Sequence, residues 1–340
     1  MKVVLVGATG AVGTEMLSIL EGRDLTIDEL VPVASARSAG RRLSFRGSTV
    51  EVQALTEEAF RRADVALFDV PDEVSAEWAP VAARHSVVVD NSAAWRMDPE
   101  VPLVVPEVNP EQVSNRPKNI ISSPNCTTLA LVVPIGALHR AAGLERLIVS
   151  SYQATSGAGR PGVDELWDQT EKAAKEPELV REGLAREVLS AGETFAHPIA
   201  MNFIPKIGSL REDGYTSEEV KLRNETRKII GLPDLEVTAT CVRVPVMVGH
   251  GVAAHAEFSR PITPDEARSV LSDAPGVVVR DEPERDVYPT PLEAAGTDPC
   301  YVGRIRQDPF EDNALELFCV ADNLRKGAAL NTVQVAELLF

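Results

Sequence analysis

Cysteine is scarce in this sequence. Cys126, Cys241, Cys300 and Cys319 are its only four, and no two lie close enough to form a zinc pair or a dense disulfide framework. A reduced, cytoplasmic chain without a metal site is the expectation. Positive charge is short as well. Lys and Arg number 34 against 51 Asp and Glu, a net charge of −17, and no basic patch offsets that background, which argues against a nucleic-acid partner. No run of 18 apolar residues occurs, and the opening MKVVLVGATG lacks the long apolar stretch of a secretory leader. Both absences point to a soluble, untargeted chain with no membrane partner. Internal repeats and low-complexity linkers are missing too. What remains is 340 residues of which 44% are apolar, enough for two domains with a core each.

The order of local patterns divides the chain. Residues 3–6 are a short β-branched run ending at Gly7, and 11–20 follow with helical apolar spacing. Further strand patterns at 30–34, 65–68, 87–90, 103–105 and 119–122 alternate with helical or loop segments such as 75–83. That alternation predicts a Rossmann-type, doubly wound parallel sheet. Past Cys126 the pattern changes: a helix over 129–142, a strand over 147–153, a charged helical stretch over 163–191, and a helix over 217–230. Strands are then expected in succession at 235–246, 252–259, 276–279, 301–305 and 315–321, with a helix only over 264–272. Successive strands imply a mixed sheet in an α+β domain. The expected boundaries are 1–127 for the first domain, completed by a C-terminal helix over 322–340, and 128–321 for the second.

Three local motifs carry chemistry. Gly7, Gly10 and Gly13 are spaced G-x-x-G-x-x-G between a strand and a helix, which brings the backbone amides of Thr9, Gly10, Ala11 and Val12 toward a pyrophosphate at the positive end of the helix. After the second strand, where an NAD site places an acid, the chain reads Ala34-Ser35-Ala36-Arg37-Ser38. Arg37 with Ser35 or Ser38 suits a 2′-phosphate, hence NADP(H); the alternative is a solvated Arg in a polar loop. Cys126 lies in Ser122-Ser123-Pro124-Asn125-Cys126-Thr127-Thr128, after a strand and at a helix start, where the dipole favours a thiolate. The other cysteines sit in strand-like runs and fit the ordinary role of a small apolar residue.

The segments GATGAVG, DNSAAWRMD, VPEVN, SSPNCTT, SSYQATSGAG, EDGYTSEEVK, CVRVPVMVGH, AAGTDPCYVGRIRQD and ADNLRKGAALNTVQVAELL resemble, in order and from end to end, the aspartate-β-semialdehyde dehydrogenase family. The resemblance implies NADPH-dependent reduction of an aspartyl acyl phosphate to the aldehyde and phosphate, within the aspartate-derived amino-acid pathway. It implies Cys126 as the acyl-thioester nucleophile, His250 as general acid/base and Gln153 as the group orienting substrate. Arg243 would take the substrate carboxylate and Glu218 its ammonium, Arg96 and Lys221 the phosphate, with Asn125 counted among the substrate contacts. Ser156, Gly157 and Asn323 would lie near the nicotinamide. A homodimer through the second domain is implied, with a homotetramer left open.

Each carry-over has a bland counterpart. Glu218 and Lys221, three apart on one helix, also suit a solvated ion pair. Arg243, in an apolar strand, needs a partner if buried. His250 follows Gly249 at a strand end, a place for an accessible imidazole, whereas His85, His139, His197 and His255 occupy unremarkable contexts. Other Cys/His acyl-phosphate reductases, such as N-acetylglutamyl-phosphate reductase, lack the Glu218/Arg243 clamp; a cofactor-binding paralogue without catalysis is the remaining alternative. The sequence departs from the family at Gly251, where many relatives have Ser and little is expected of the change, and more notably in one stretch. Where relatives carry a small, glycine-rich stretch near the cofactor, it reads Asp69-Val70-Pro71-Asp72-Glu73, three acids that either repel a diphosphate or point to solvent.

Overall fold

The structure is a computed structural model describing residues 1–211 and 213–340. The chain divides into two compact units: Met1–Val133 with Asn224–Pro233 and Leu324–Phe340, and Pro134–Arg223 with Asp234–Asn323.

The first unit opens with β1 (Lys2–Val6), α1 (Ala11–Gly22) and β2 (Glu29–Ala34), followed by β3 (Arg42–Phe45), β4 (Ser48–Glu51) and β5 (Gln53–Ala54). It continues through β6 (Val65–Phe68), α2 (Asp72–Ala82), β7 (Val87–Asp90) and β8 (Ile120–Ser122) into α3 (Cys126–Ala142). Six strands form one sheet in the order β5-β2-β1-β6-β7-β8, every neighbouring pair parallel. Because successive strand residues face opposite sides, the β-branched runs fill two cores. Val3, Leu5, Leu67 and Ile121 pack with Met16 and Leu20 of α1, while Val4, Val6, Phe68 and Val88 pack with Ala79 and Ala82 of α2. Covering both faces is what an all-parallel sheet requires.

The second unit contains β9 (Leu144–Gln153), α4 (Gly159–Lys175), α5 (Pro177–Arg181), the first half of α6 (Ser217–Ile230, whose residues from Asn224 on belong to the first unit), β10 (Glu236–Arg243) and β11 (His250–Phe258). After these come α7 (Pro264–Ser272), β12 (Val277–Val279), α8 (Pro291–Ala294), β13 (Cys300–Gln307) and β14 (Ala314–Ala321). Its sheet runs β10-β9-β11-β14-β13-β12, parallel at the two outer pairs and antiparallel between them. The tail in the first unit holds α9 (Leu330–Glu337).

The expected doubly wound sheet and mixed sheet are both present, with local differences. Residues 103–105 make only an isolated bridge, Leu103 to Ser122, and no strand. The hairpin β3–β4 was not foreseen: its apolar residues are too sparse to signal a strand. The charged stretch 163–191 is broken at Pro177, where α4 has ended at Lys175. β10 stops at Arg243, two residues before Pro245, and β11 already begins at His250. The terminal helix is shorter than expected and is preceded by a π turn at Arg325–Ala329. That turn buries the Lys326 ammonium against both Glu107 oxygens at 2.8 and 2.7 Å, with Gln334 at 2.7 Å.

Candidate functional site

The glycine turn of the first unit is built by close approach. Gly7 has φ +93°, and a Cβ there would lie 1.9 Å from the Asp69 carbonyl oxygen, so both backbone geometry and space demand glycine. Gly10 is the N-cap of α1 with no side chain capping the helix. The Thr14 amide bonds back to the Gly10 carbonyl at 2.9 Å, and the amides of Ala11 and Val12 before it belong to the group an α-helix leaves without an internal partner. These are donors for an anion at the positive helix end. Beside them is a cavity of about 440 Å³ lined by Gly7, Thr9, Gly10, Ser35, Asp69 and Trp78 among others. Ser35 ends the chain's exit from β2, and the short turn Ala36–Ser38 presents Arg37 to solvent with Ser38 half-buried. Among the described residues Arg37 forms no ion pair.

The acidic stretch splits. Asp69 lines the cavity, whereas Asp72 and Glu73 do not: they open α2 as exposed residues, and Asp72 Oδ1 accepts the Ala93 amide at 2.8 Å. The proposed repulsion therefore rests on one carboxyl group of three.

Cys126 is the first residue of α3 and half-buried. Asn125 caps that helix: its Oδ1 accepts the amides of Thr127 at 2.8 Å and Thr128 at 3.4 Å. Behind the turn, Glu225 is 1% exposed. Its Oε2 accepts the Asn125 amide at 2.6 Å, and its Oε1 pairs with Arg96 Nη1 at 3.1 Å. Arg96 also donates through Nε to the Ser123 carbonyl at 2.9 Å and through Nη2 to that of Asn91 at 2.7 Å. Removing one partner of such a buried pair costs about 3–5 kcal/mol. Asn125, the residue before Cys126, and Arg96 thus share one hydrogen-bonded framework whose centre is Glu225, a residue the sequence reading missed although it recurs at helical spacing after Glu218 and Lys221.

In the second unit, Gln153 ends β9 beside Arg243 in the β10 register, and its Nε2 donates to Ser151 Oγ at 3.1 Å. Arg243 is buried; its Nη1 donates to the Ala154 carbonyl at 2.6 Å and its guanidinium lies 6.0 Å from the centre of the Phe195 ring. It borders a cavity of about 570 Å³ with Phe195, His197, Lys206 and Gly208.

His250 is not the accessible imidazole expected at a strand end. It is fully buried, because β11 starts at it and the Ala154 amide holds its Nδ1 at 3.0 Å. Burial, with Arg243 adding to the effect, holds its pKa well below the ordinary histidine value. A Cβ on Gly157 would meet Arg243 Nη1 at 2.8 Å and His250 Nε2 at 3.3 Å, so the absence of a side chain here leaves the space that the guanidinium and the imidazole both border. Asn323 locks the neighbouring turns: Oδ1 accepts the Gly249 amide at 2.9 Å, and Nδ2 donates to Ser156 Oγ at 2.9 Å. On α6, Lys221 Nζ lies 3.9 Å from Glu218 Oε2, the ion pair their spacing allows. Glu219 makes the capping box, with Oε2 on the Thr216 amide at 2.6 Å, and its Oε1 accepts the Cys241 amide at 3.1 Å.

His255, read as unremarkable, is the centre of a carboxylate cluster. Its Nδ1 is 2.7 Å from Glu316 and its Nε2 3.3 Å from Glu257, with Asp308 at 3.7 Å. His255, Asp308 and Glu316 are the one group among the described residues with ligand atoms converging tightly enough for a metal, but both ring nitrogens already have carboxylate partners.

Comparison with known proteins agrees over the whole chain. Residues 2–116 match the family model "Semialdehyde dehydrogenase, NAD binding domain", and residues 135–326 match "Semialdehyde dehydrogenase, dimerisation domain". The chain is 51% identical to an aspartate-semialdehyde dehydrogenase of Streptomyces akiyoshiensis, covering 100% of this chain and 98% of that one. It is 48% identical to the enzyme of that description from Aquifex aeolicus, covering 99% and 97%. Among solved structures, aspartate semialdehyde dehydrogenase II of Vibrio cholerae complexed with ASA superposes with a TM-score of 0.92 at 42% identity, covering 99% of this chain and 97% of that one.

Proposed function

Because the chain belongs to the semialdehyde dehydrogenase family, we propose that it reduces L-aspartyl-4-phosphate to L-aspartate-4-semialdehyde and phosphate, reversibly, with NADP(H) as its nicotinamide cofactor. The observation that carries this reading is the pair of chemically matched groups: a half-exposed Cys126 at the positive end of α3, and a buried His250 kept neutral beside Arg243.

Cys126 as thiolate attacks the acyl carbon; the carbon–oxygen bond to phosphate breaks and a thioester forms. Arg96 receives the departing phosphate, its guanidinium held in place by Glu225 and two carbonyls, and Lys221 adds a second cation. The Gly7–Gly10 turn would hold NADPH, which would supply the hydride that reduces the acyl group. Breaking the carbon–sulfur bond then frees the aldehyde and restores the thiolate, with His250 holding the proton balance through Nε2, the nitrogen on the Gly157 and Arg243 side. Arg243 and Glu218 match the carboxylate and ammonium of an aspartyl substrate, and Gln153 orients it. Ser156, Gly157 and Asn323 belong to the nicotinamide end, Thr9, Gly10, Ala11 and Val12 to the diphosphate, and Ser35, Arg37 and Ser38 to the 2′-phosphate.

A homodimer through the second unit is part of this reading. One side of β9 leaves Ile148 and Tyr152 about 40% exposed, 41% and 42%, as a sheet face covered by a second copy would.

The test is phosphorolytic oxidation of L-aspartate-4-semialdehyde with NADP and NAD compared. Cys126→Ala is expected to abolish turnover while leaving NADPH affinity and thermal stability nearly unchanged; activity within tenfold of the parent would remove Cys126 as nucleophile. Arg37→Glu is expected to raise the KM for NADP by about 1.5–3 kcal/mol in equivalent binding energy and to narrow its preference over NAD. An unchanged ratio would reassign the phosphate contact.

A further inference from the structure

Asp69 is an acid in the wrong place for a site that takes a diphosphate. It follows β6 and sits in the cavity wall with the glycine turn, its main chain packed so closely on Gly7 that no side chain fits between them. Asn91 Nδ2 donates to Oδ1 at 2.9 Å. Oδ2 is directed to the other side, within 3.8 Å of the position a Cβ on Gly10 would take, and among the described residues nothing donates to it. This oxygen therefore points at the amino end of α1, where the amides gather.

We propose that Asp69 binds the dinucleotide as a carboxylic acid, its Oδ2–H donating to a diphosphate oxygen, so that cofactor binding takes up one proton. This rests on the reading of the Gly7–Gly10 turn as the NADP(H) site. The proton comes from solvent, no bond other than O–H forms, and the amide of Asn91 stays on Oδ1. An ionised Oδ2 would instead set two anionic acceptors against each other in competition for the same α1 amides.

The surroundings favour the neutral form. Burial raises the Asp69 carboxyl above the usual carboxylate range, with only the Asn91 bond acting the other way. From β7, Asp90 is turned to Ser92 Oγ at 2.6 Å. From α2, Asp72 is tied to the Ala93 amide and Glu73 is exposed. From α1, Glu15 is paired with Arg325. The turn after β2 brings Arg37, which is exposed. Every formal charge near Asp69 on β7, α1 and α2 is thus negative or already paired, and no cation is bonded to it.

Isothermal titration of NADP into the full chain, in buffer pairs of differing ionisation enthalpy from pH 6 to 9, reads the proton count directly. The parent is expected to take up close to one proton more than Asp69→Asn at the alkaline end. Its Kd is expected to rise about tenfold per pH unit there, while Asp69→Asn, whose amide donates permanently, stays flat and binds tighter. Titration of the 2′-phosphate is common to both proteins and cancels. Asp69→Ser, a smaller donor, provides a second variant should the amide disturb the turn, and is expected to lose the pH slope in the same way. Equal proton counts in parent and variants would overturn the proposal. So would weaker binding by both variants at every pH, which would make the carboxylate an acceptor for ribose hydroxyls. Failure of NADP to bind the parent at any pH would instead overturn the cofactor reading itself.

Discussion

Two histidines lie on β11, one at its start and one past its middle, and they do opposite things. His250 opens the strand on its buried face, and burial with Arg243 pushes its pKa well down. His255, five residues on and facing the other way, has its pKa raised by Glu316 and Glu257 in spite of partial burial. One strand thus carries an imidazole held toward its neutral form, suited to proton traffic, and another drawn toward its charged form by the carboxylates beside it. Residue type is not what separates them. The difference lies in what each side of the sheet brings: Arg243 and Gly157 on one, Glu257, Asp308 and Glu316 on the other.

Exchange of each histidine for Asn should break the pair apart most visibly. His250→Asn is expected to lower kcat by about 10²–10⁴, the range of a general acid/base contribution, with NADPH affinity retained. His255→Asn is expected to leave kcat within about twofold, as for a side chain remote from the chemistry. Equal losses from both substitutions would show that the strand's integrity, not the imidazole at position 250, supports turnover.

The same contrast holds for cysteine. Burial pushes the Cys241 thiol up to about 12 and that of Cys319 well above its ordinary value. At pH 8 the thiolate fraction of Cys241 is then on the order of 10⁻⁴. Iodoacetamide should therefore label Cys126, the half-buried one, stoichiometrically before any other, as peptide mass mapping would show. Simultaneous labelling of Cys241 would mean that helix position and exposure do not set reactivity here.

A smaller effect separates the two histidines in stability. For His255 the folded pKa is raised, so its contribution is complete below the unfolded value of about 6.5 and is lost as pH rises through the folded value. For His250 the folded pKa is depressed, so stability is complete above the unfolded value and is lost as pH falls toward the folded one. Tm followed from pH 5 to 8 should lose its alkaline-side decline in His255→Asn, by an amount on the order of 1 kcal/mol or less, since Arg146 and Arg306 also neutralise the cluster. His250→Asn should lose the acid-side decline. Unchanged profiles for both variants would mean that neither imidazole titrates differently on folding.

How far these environments could be read in advance follows a physical line. The glycine turn, the parallel character of the first sheet and the helix start at Cys126 were legible because they depend on contacts within a few residues: β-branched runs and glycines at fixed spacing, whereas the strand order and the short β5 were not. The burial of His250 was not, since it depends on Ala154, the residue just after β9, and on Gly157 leaving room for the ring. Glu225 was likewise invisible as the centre of the Arg96 and Asn125 framework, its partners being 129 and 100 residues away in sequence. The His255 cluster needs the cross-strand pairing of His255 with Glu316, which no local pattern announces. Long-range polar partners are the part that local spacing does not encode.

The acidic stretch repeats the comparison at its smallest scale, with three carboxyl groups in five residues and only one of them in the cavity wall. Asp72 and Glu73 occupy the first turn of α2, where negative charge favours the helix by about 0.3–1 kcal/mol each, and Asp72 holds the Ala93 amide. Replacing them with Ser and Gly should lower Tm modestly and leave the NADPH Kd within error of the parent. The low-salt arm is the sensitive one: at about 0.01 M salt the screening length is about 30 Å, so even a distant carboxylate would register as tighter binding once removed. Superimposable titrations at low and high salt would confine the acidic influence on the cofactor to Asp69. Tighter binding by the double variant at low salt alone would extend that influence to the field of all three groups, and would require the proton uptake assigned to Asp69 to be measured again in the double-variant background.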